Sequence, residues 1–157
     1  MDQTKTEALI SAWRNYLATH FSWQAQIKGH GPIPTGCGLL YELPNPLARP
    51  GEDFAIADMR HIPFAEPHYH PKPNYEIYFV LQGTALVVNG TNERQVKPGD
   101  VVLIEPDHAH FTIPDENFVI AVVNTPPFKP EIYITVTESD PSVKFDQNQF
   151  ARLTSHT

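Results

Sequence analysis

Two histidines one residue apart, His68 and His70, precede a proline-rich loop and then Glu76, which opens a β-forming run in the stretch EPHYHPKPNYEIYFVLQG, residues 66–83. Imidazole nitrogens and a carboxylate oxygen suit a divalent first-row ion. The same residues could equally be polar groups scattered around a loop. Residues two apart in an extended segment share a face, and the prolines on either side of the pair favour extension, so both rings are expected to aim the same way. In the run that follows, Glu76, Tyr78 and Val80 share one face. Tyr75, Ile77, Phe79 and Leu81 share the other, which reads as a packing surface.

A second cluster stands in KPGDVVLIEPDHAHFTIP, residues 97–114. Pro98-Gly99-Asp100 turns into the strand VVLIE, Pro106-Asp107 turns again, and His108 and His110 form another same-face pair. If His110 folds back beside His68, His70 and Glu76, three imidazoles and one carboxylate converge. An octahedral ion held this way keeps two positions for water, O2 or a chelating substrate. Tyr78, on the Glu76 face, is the candidate catalytic residue, able to donate a proton or fix a substrate oxygen. Arg60 and Lys72 are the nearest cations for a carboxylate or phosphate, unless they are outer-surface charges. A ligating imidazole needs a partner for its other nitrogen; Glu66, Tyr78 and Glu105 are candidates. His61 is expected to cap a loop or line the entrance, and His20, His30 and His156 to lie on the surface.

The two segments resemble the paired motifs of the cupin superfamily: His-x-His, a short gap, Glu, six residues, Gly, and later a second motif ending in His. Here these read His68-x-His70, Glu76, Gly83, and Pro98-Gly99-Asp100 through Pro106 to His110. The resemblance spans roughly residues 54–127. It implies a double-stranded β-helix, a small jelly-roll barrel, with His68, His70, Glu76 and His110 as ligands of one divalent transition metal (Fe, Mn, Zn, Ni or Co). Two departures stand out. Five residues separate His70 from Glu76 where three or four are usual, and both His108 and His110 lie near the second-motif position. Counting from Gly99-Asp100 selects His110.

The elements that must position these residues follow from the rest of the chain. Its 157 residues suit one domain able to bury about two-thirds of its unfolded surface. Hydrophobic residues make up 41%, and sixteen prolines against eight glycines favour short elements over long helices. Only the N-terminus reads as a helix: Thr4 and Glu7 have capping-box spacing, and Leu9, Ile10, Trp13, Tyr16 and Leu17 recur at helical intervals. That gives residues 1–36 as helix plus Gly/Pro-rich connector. Residues 37–139 form an all-β barrel of nine or ten short runs, CGLLYEL to EIYITVT. Residues 140–157 are a polar tail packed on or near the barrel, with a short helix near Gln147–Leu153.

Eleven Lys plus Arg against eighteen Asp plus Glu give a net charge of −7, which argues against nucleic acid and anionic membrane as partners. The lone Cys37 excludes an internal disulfide and a Cys-rich zinc site, and is expected to be a small buried hydrophobe. No signal-peptide pattern or span-length apolar run is visible, so a cytoplasmic location is expected. Strand edges make a homodimer the default. Three functions remain open: a metal-dependent isomerase, epimerase or lyase acting on a small oxygen-rich metabolite such as a sugar, keto acid or carboxylate; an Fe(II)-dependent dioxygenase; or a non-catalytic small-ligand-binding or sensor module.

Overall fold

The structure, a computed structural model, describes residues 1–156; Thr157, the last residue of the expected tail, lies outside them. Helix α1, Gln3–Thr19, starts on Asp2, whose carboxylate accepts from the Lys5 amide at 3.0 Å. This corrects the expected Thr4 cap. Asp2 is an equally good acceptor, and starting there leaves Thr4 and Glu7 inside the first turns, where Glu7 accepts from the Gln3 side chain instead. A four-residue helix, α2 (Trp23–Gln26), and a strand, β1 (Ile33–Thr35), follow in the stretch expected to be a plain connector. β1 escapes sequence reading because Pro34 interrupts its pattern, which an exposed edge strand tolerates.

Ten more strands complete the barrel: β2 (Gly38–Leu43), β3 (Asp53–Asp58), β4 (His68–Tyr69), β5 (Tyr75–Gln82), β6 (Ala85–Asn89), β7 (Asn92–Val96), β8 (Val101–Ile104), β9 (His110–Pro114), β10 (Val119–Thr125) and β11 (Ile134–Thr135). One antiparallel sheet runs β1-β2-β3-β10-β5-β8 and the other β11-β4-β9-β6-β7. From β3 onward the chain passes back and forth between the sheets, except at the β6–β7 hairpin, which stays within one sheet; this is the winding of a jelly roll. The turn from β5 to β6 depends on Gly83. Its φ is +71°, and a Cβ there would stand 2.5 Å from the Asn117 carbonyl carbon, so only glycine fits.

Strand alternation separates three apolar layers. Tyr78, Val80, Val87, Val102, Ile104, Ile120 and Val122 point between the sheets. Ile77 and Phe79, with Phe54, Ile56 and Val123, point outward against Leu9, Trp13 and Trp23. Trp13 is wholly buried, stacks on Phe54 at 4.8 Å and donates its indole N–H to Glu52 at 2.7 Å. The N-terminal stripe therefore serves packing, as its helical spacing predicts. On the opposite outer face, Val88, Phe111, Val143 and Phe145 form a third cluster, with Phe150 and Leu153 of α3 (Gln147–Thr154) packed against it.

The expected strand EIYITVT is mostly something else. Residues Pro130–Ile132 form a single 3-10 turn and only Ile134–Thr135 pair as β11. Tertiary contacts override the β propensity here, because the backbone turns to lay Ile132 and Tyr133 against the site. None of the described helices is long and apolar enough to cross a membrane.

Candidate metal centre

β4 and β9 pair with His68 directly opposite His110. β5, in the facing sheet, presents Glu76 on its inward face beside Tyr78. The loop after β4 carries His70 to the same place, so the five-residue gap before Glu76 does not displace the carboxylate. One donor atom from each of His68, His70, Glu76 and His110 lies within 4.8 Å of every other, and all four residues are buried.

The donor set fits a metal on chemical grounds. Each imidazole has its Nδ1 against a main-chain carbonyl: His68 against Glu66 at 2.8 Å, His70 against Ile132 at 3.2 Å, and His110 against His108 at 3.0 Å. A carbonyl only accepts, so each Nδ1 carries a proton, and each ring in its neutral form keeps its Nε2 lone pair free. The Nε2 atoms of His70 and His110 lie 3.3 and 3.1 Å from Glu76 Oε2. Lone pairs and a carboxylate turned together in a dry interior need a cation between them, a proton or a metal.

The titration tendencies follow from that crowding. Burial pushes the His68 imidazole well below its ordinary value, and the neighbouring His110 adds to it. Burial opposes charge on His70 too, but the Glu76 carboxylate outweighs it and raises the imidazole. Burial would raise Glu76, yet His70 and His110 hold its carboxyl well below the usual range. Burial and the Glu76 charge keep Tyr78 a phenol well above its ordinary value, and its hydroxyl donates to Glu76 Oε2 at 3.0 Å.

Other expected residues fall elsewhere. His108 contributes its carbonyl, while its ring turns to Glu105, 3.7 Å away. Glu66 holds His68 through its carbonyl rather than its carboxylate. Arg60 pairs with Asp58 at 2.7 Å and lies over the Trp23 ring, on the α1 side of its sheet and away from the ligands. Lys72 is exposed and 3.5 Å from Asp107. Both cations are thus held by other partners. Lys72, Glu105 and His108 line an open surface groove of about 550 Å³ whose lining includes none of the four clustered residues.

Sequence reading missed the far wall. Residues 126–136 cross beside the cluster: the Phe128 amide donates to Asp53 at 2.6 Å, Tyr133 stacks on His68, and the Val136 amide reaches Pro67. Cys37, expected to be a plain buried hydrophobe, has its sulfur 4.0 Å from His68 Nδ1 and 3.7 Å from the Tyr133 hydroxyl. Burial, with the Glu76 charge, pushes its thiol up to about 12. The one available signal for this wall was the proline density before Tyr133, which marks where the chain leaves the sheet.

Two facing antiparallel sheets with this inward cluster at one end define a cupin. Within that class the chain belongs to the AraC-like ligand binding domain family, whose profile matches residues 50–152. No curated protein matches the sequence. Among solved structures, a protein from Planctomyces limnophilus is 19% identical, with a TM-score of 0.59 over 74% of this chain and 95% of its own. Pac13 from Streptomyces, described as a nucleoside dehydratase and also solved with uridine, is similar at 10% identity in one such uridine complex, TM-score 0.61, covering 79% of this chain and 97% of its own. An RmlC-like cupin from Shewanella frigidimarina is 16% identical, TM-score 0.52, with 73% and 96% covered. At these identities the likeness is one of fold.

Proposed function

We propose that this cupin holds one divalent transition ion (Fe, Mn, Co, Ni or Zn) on His68, His70, Glu76 and His110, and acts as an isomerase, epimerase or lyase on a small oxygen-rich metabolite. The observation that carries the reading is the set of three Nδ1–carbonyl pairs, which leaves three Nε2 lone pairs converging with one carboxylate. A bound ion supplies Lewis-acid polarisation of a carbonyl or hydroxyl, or O2 activation if it is redox-active. Tyr78 keeps its proton and offers it at its hydroxyl, next to Glu76, where a substrate oxygen can take the hydrogen bond in place of the carboxylate. The half-buried rings of Phe128 and Tyr133 line one side of the site and narrow the approach of water to the reacting atoms. Pac13's description as a dehydratase supports lyase chemistry as one use of the fold.

A second reading has its own support: the matched family is a ligand-binding one, which favours a non-catalytic sensor for the same class of small molecule. The reading further takes the chain as a cytoplasmic homodimer without nucleic-acid or membrane partners. The experiment is elemental analysis of the purified protein followed by a panel of sugars, keto acids and carboxylates, monitored for binding, turnover and oxygen uptake. About one equivalent of metal with turnover and no oxygen uptake is expected. Oxygen uptake with iron moves the assignment to a dioxygenase, binding without turnover moves it to the sensor, and metal-free protein that takes up no added ion overturns it.

A further inference from the structure

The ring of Tyr133 lies parallel to that of His68, 4.0 Å between centroids and 17° between planes. No other ring in the cluster stacks this way: Phe128 meets His70 edge-on at 6.2 Å, and His68 meets His110 at 60°. We infer that Tyr133 is a positioning residue for the metal centre, fixing the plane of the His68 imidazole through its ring face. This rests on the metal reading above and adds to it a residue outside the ligand set.

The geometry supplies the reason. His68 sits on a two-residue strand, and the second side-chain torsion of histidine is broad. The bond from Nδ1 to the Glu66 carbonyl pins one edge of the ring but leaves it free to pivot about that edge. A flat neighbour against the face removes the remaining freedom. Tyr133 is itself held from several directions. Its hydroxyl donates to Glu66 Oε2 at 3.2 Å and lies 3.7 Å from Cys37 Sγ, and its amide donates to the Pro130 carbonyl at 3.2 Å. The space for that hydroxyl exists because residue 36 is glycine: a Cβ there would stand 2.9 Å from it and 2.6 Å from Glu66 Oε2. The preceding residue, Ile132, takes the His70 Nδ1 proton on its carbonyl. Two adjacent residues therefore set both members of the His-x-His pair, one by main chain and one by ring face. Partners of this kind typically change metal affinity by about 10–100-fold when removed.

The test uses Co(II) alone as probe, with affinity from chelator competition and site geometry from the visible absorption of the bound ion. Tyr133→Leu is expected to weaken Co(II) at least about tenfold and to shift its absorption bands. Tyr133→Phe, which keeps the ring, is expected to stay within about threefold of wild type with unshifted bands. A role in stability alone would lower the melting temperature and leave the bands in place. Tyr133 is half-buried and outside the three apolar clusters, so the leucine variant should fold; Tyr133→Met, which fills the space without a ring, replaces it if it does not. A folded leucine or methionine variant with wild-type affinity and bands overturns the inference, as does a phenylalanine variant that loses as much as leucine. Wild-type protein that binds no Co(II) would sink the metal reading itself, a result distinct from either.

Discussion

His68 and His110 stand opposite each other in the β4–β9 pair, ring centroids 4.2 Å apart, and each turns Nδ1 to the carbonyl of the residue two positions earlier, Glu66 and His108. The same local device on two strands leaves both Nε2 atoms facing the barrel interior. His70 reaches the same state by a long-range bond to Ile132.

Removing one of these rings should empty the site. His70→Ala is expected to purify with metal well below one equivalent, while His30→Ala, changed in the exposed connector, keeps the wild-type content. Elemental analysis of the two variants side by side reads this; equal contents would remove His70 from the ligand set.

Glu76→Gln should be milder. The amide still offers an oxygen, so metal retention against a chelator is expected to fall between wild type and His70→Ala. Because Tyr78 donates to the carboxylate, the substitution also weakens the partner that holds its hydroxyl. An unchanged retention would leave a three-histidine site.

Acidity should act on the metal-free and metal-bound forms in different ways. A raised His70 favours the folded state fully below the unfolded value near 6.5, and that contribution is lost as pH rises through the folded value above it. The lowered His68 has the opposite sense: its contribution is present above 6.5 and fades as pH falls toward the folded value. In chelator, the melting-temperature advantage of wild type over His70→Gln should therefore be largest near pH 6 and shrink by pH 9. Metal affinity should run the other way, weaker at pH 6 than at pH 8, because a proton on His70 Nε2 competes with the ion. An advantage that is flat or grows with pH would contradict the His70 assignment.

Trp13 offers a test of the packing independent of the site. Its complete burial against Phe54 and its bond to Glu52 predict that Trp13→Ala costs about 3–5 kcal/mol in urea unfolding. Metal content per folded molecule should not change, since the helix packs on the outer face of the sheet.

What could be read from the chain without coordinates was whatever alternation and turn chemistry encode locally. β5 matches its expected span, Tyr75–Gln82, because eight residues alternate cleanly and end at a glycine whose φ demands one. Its inward face carried Glu76 and Tyr78 into the candidate site together. The long gap after His70 proved harmless, because a loop can absorb a residue that a strand cannot. Tyr133 and Cys37 were illegible for the opposite reason: they approach His68 from 65 and 31 positions away (133 − 68; 68 − 37), and no local spacing records such contacts. α1's stripe was plain while its cap was misplaced, since several residue types cap equally well.

The three imidazole protons are all received by peptide oxygens, and that has a consequence for how such a site can change. A peptide oxygen has no side chain to mutate, so replacing Ile132 or His108 leaves the acceptor where it was. The tautomers are written into the course of the main chain, and the side chains at 132 and 108 are free to diverge in size and polarity while the imidazole protons stay where they are.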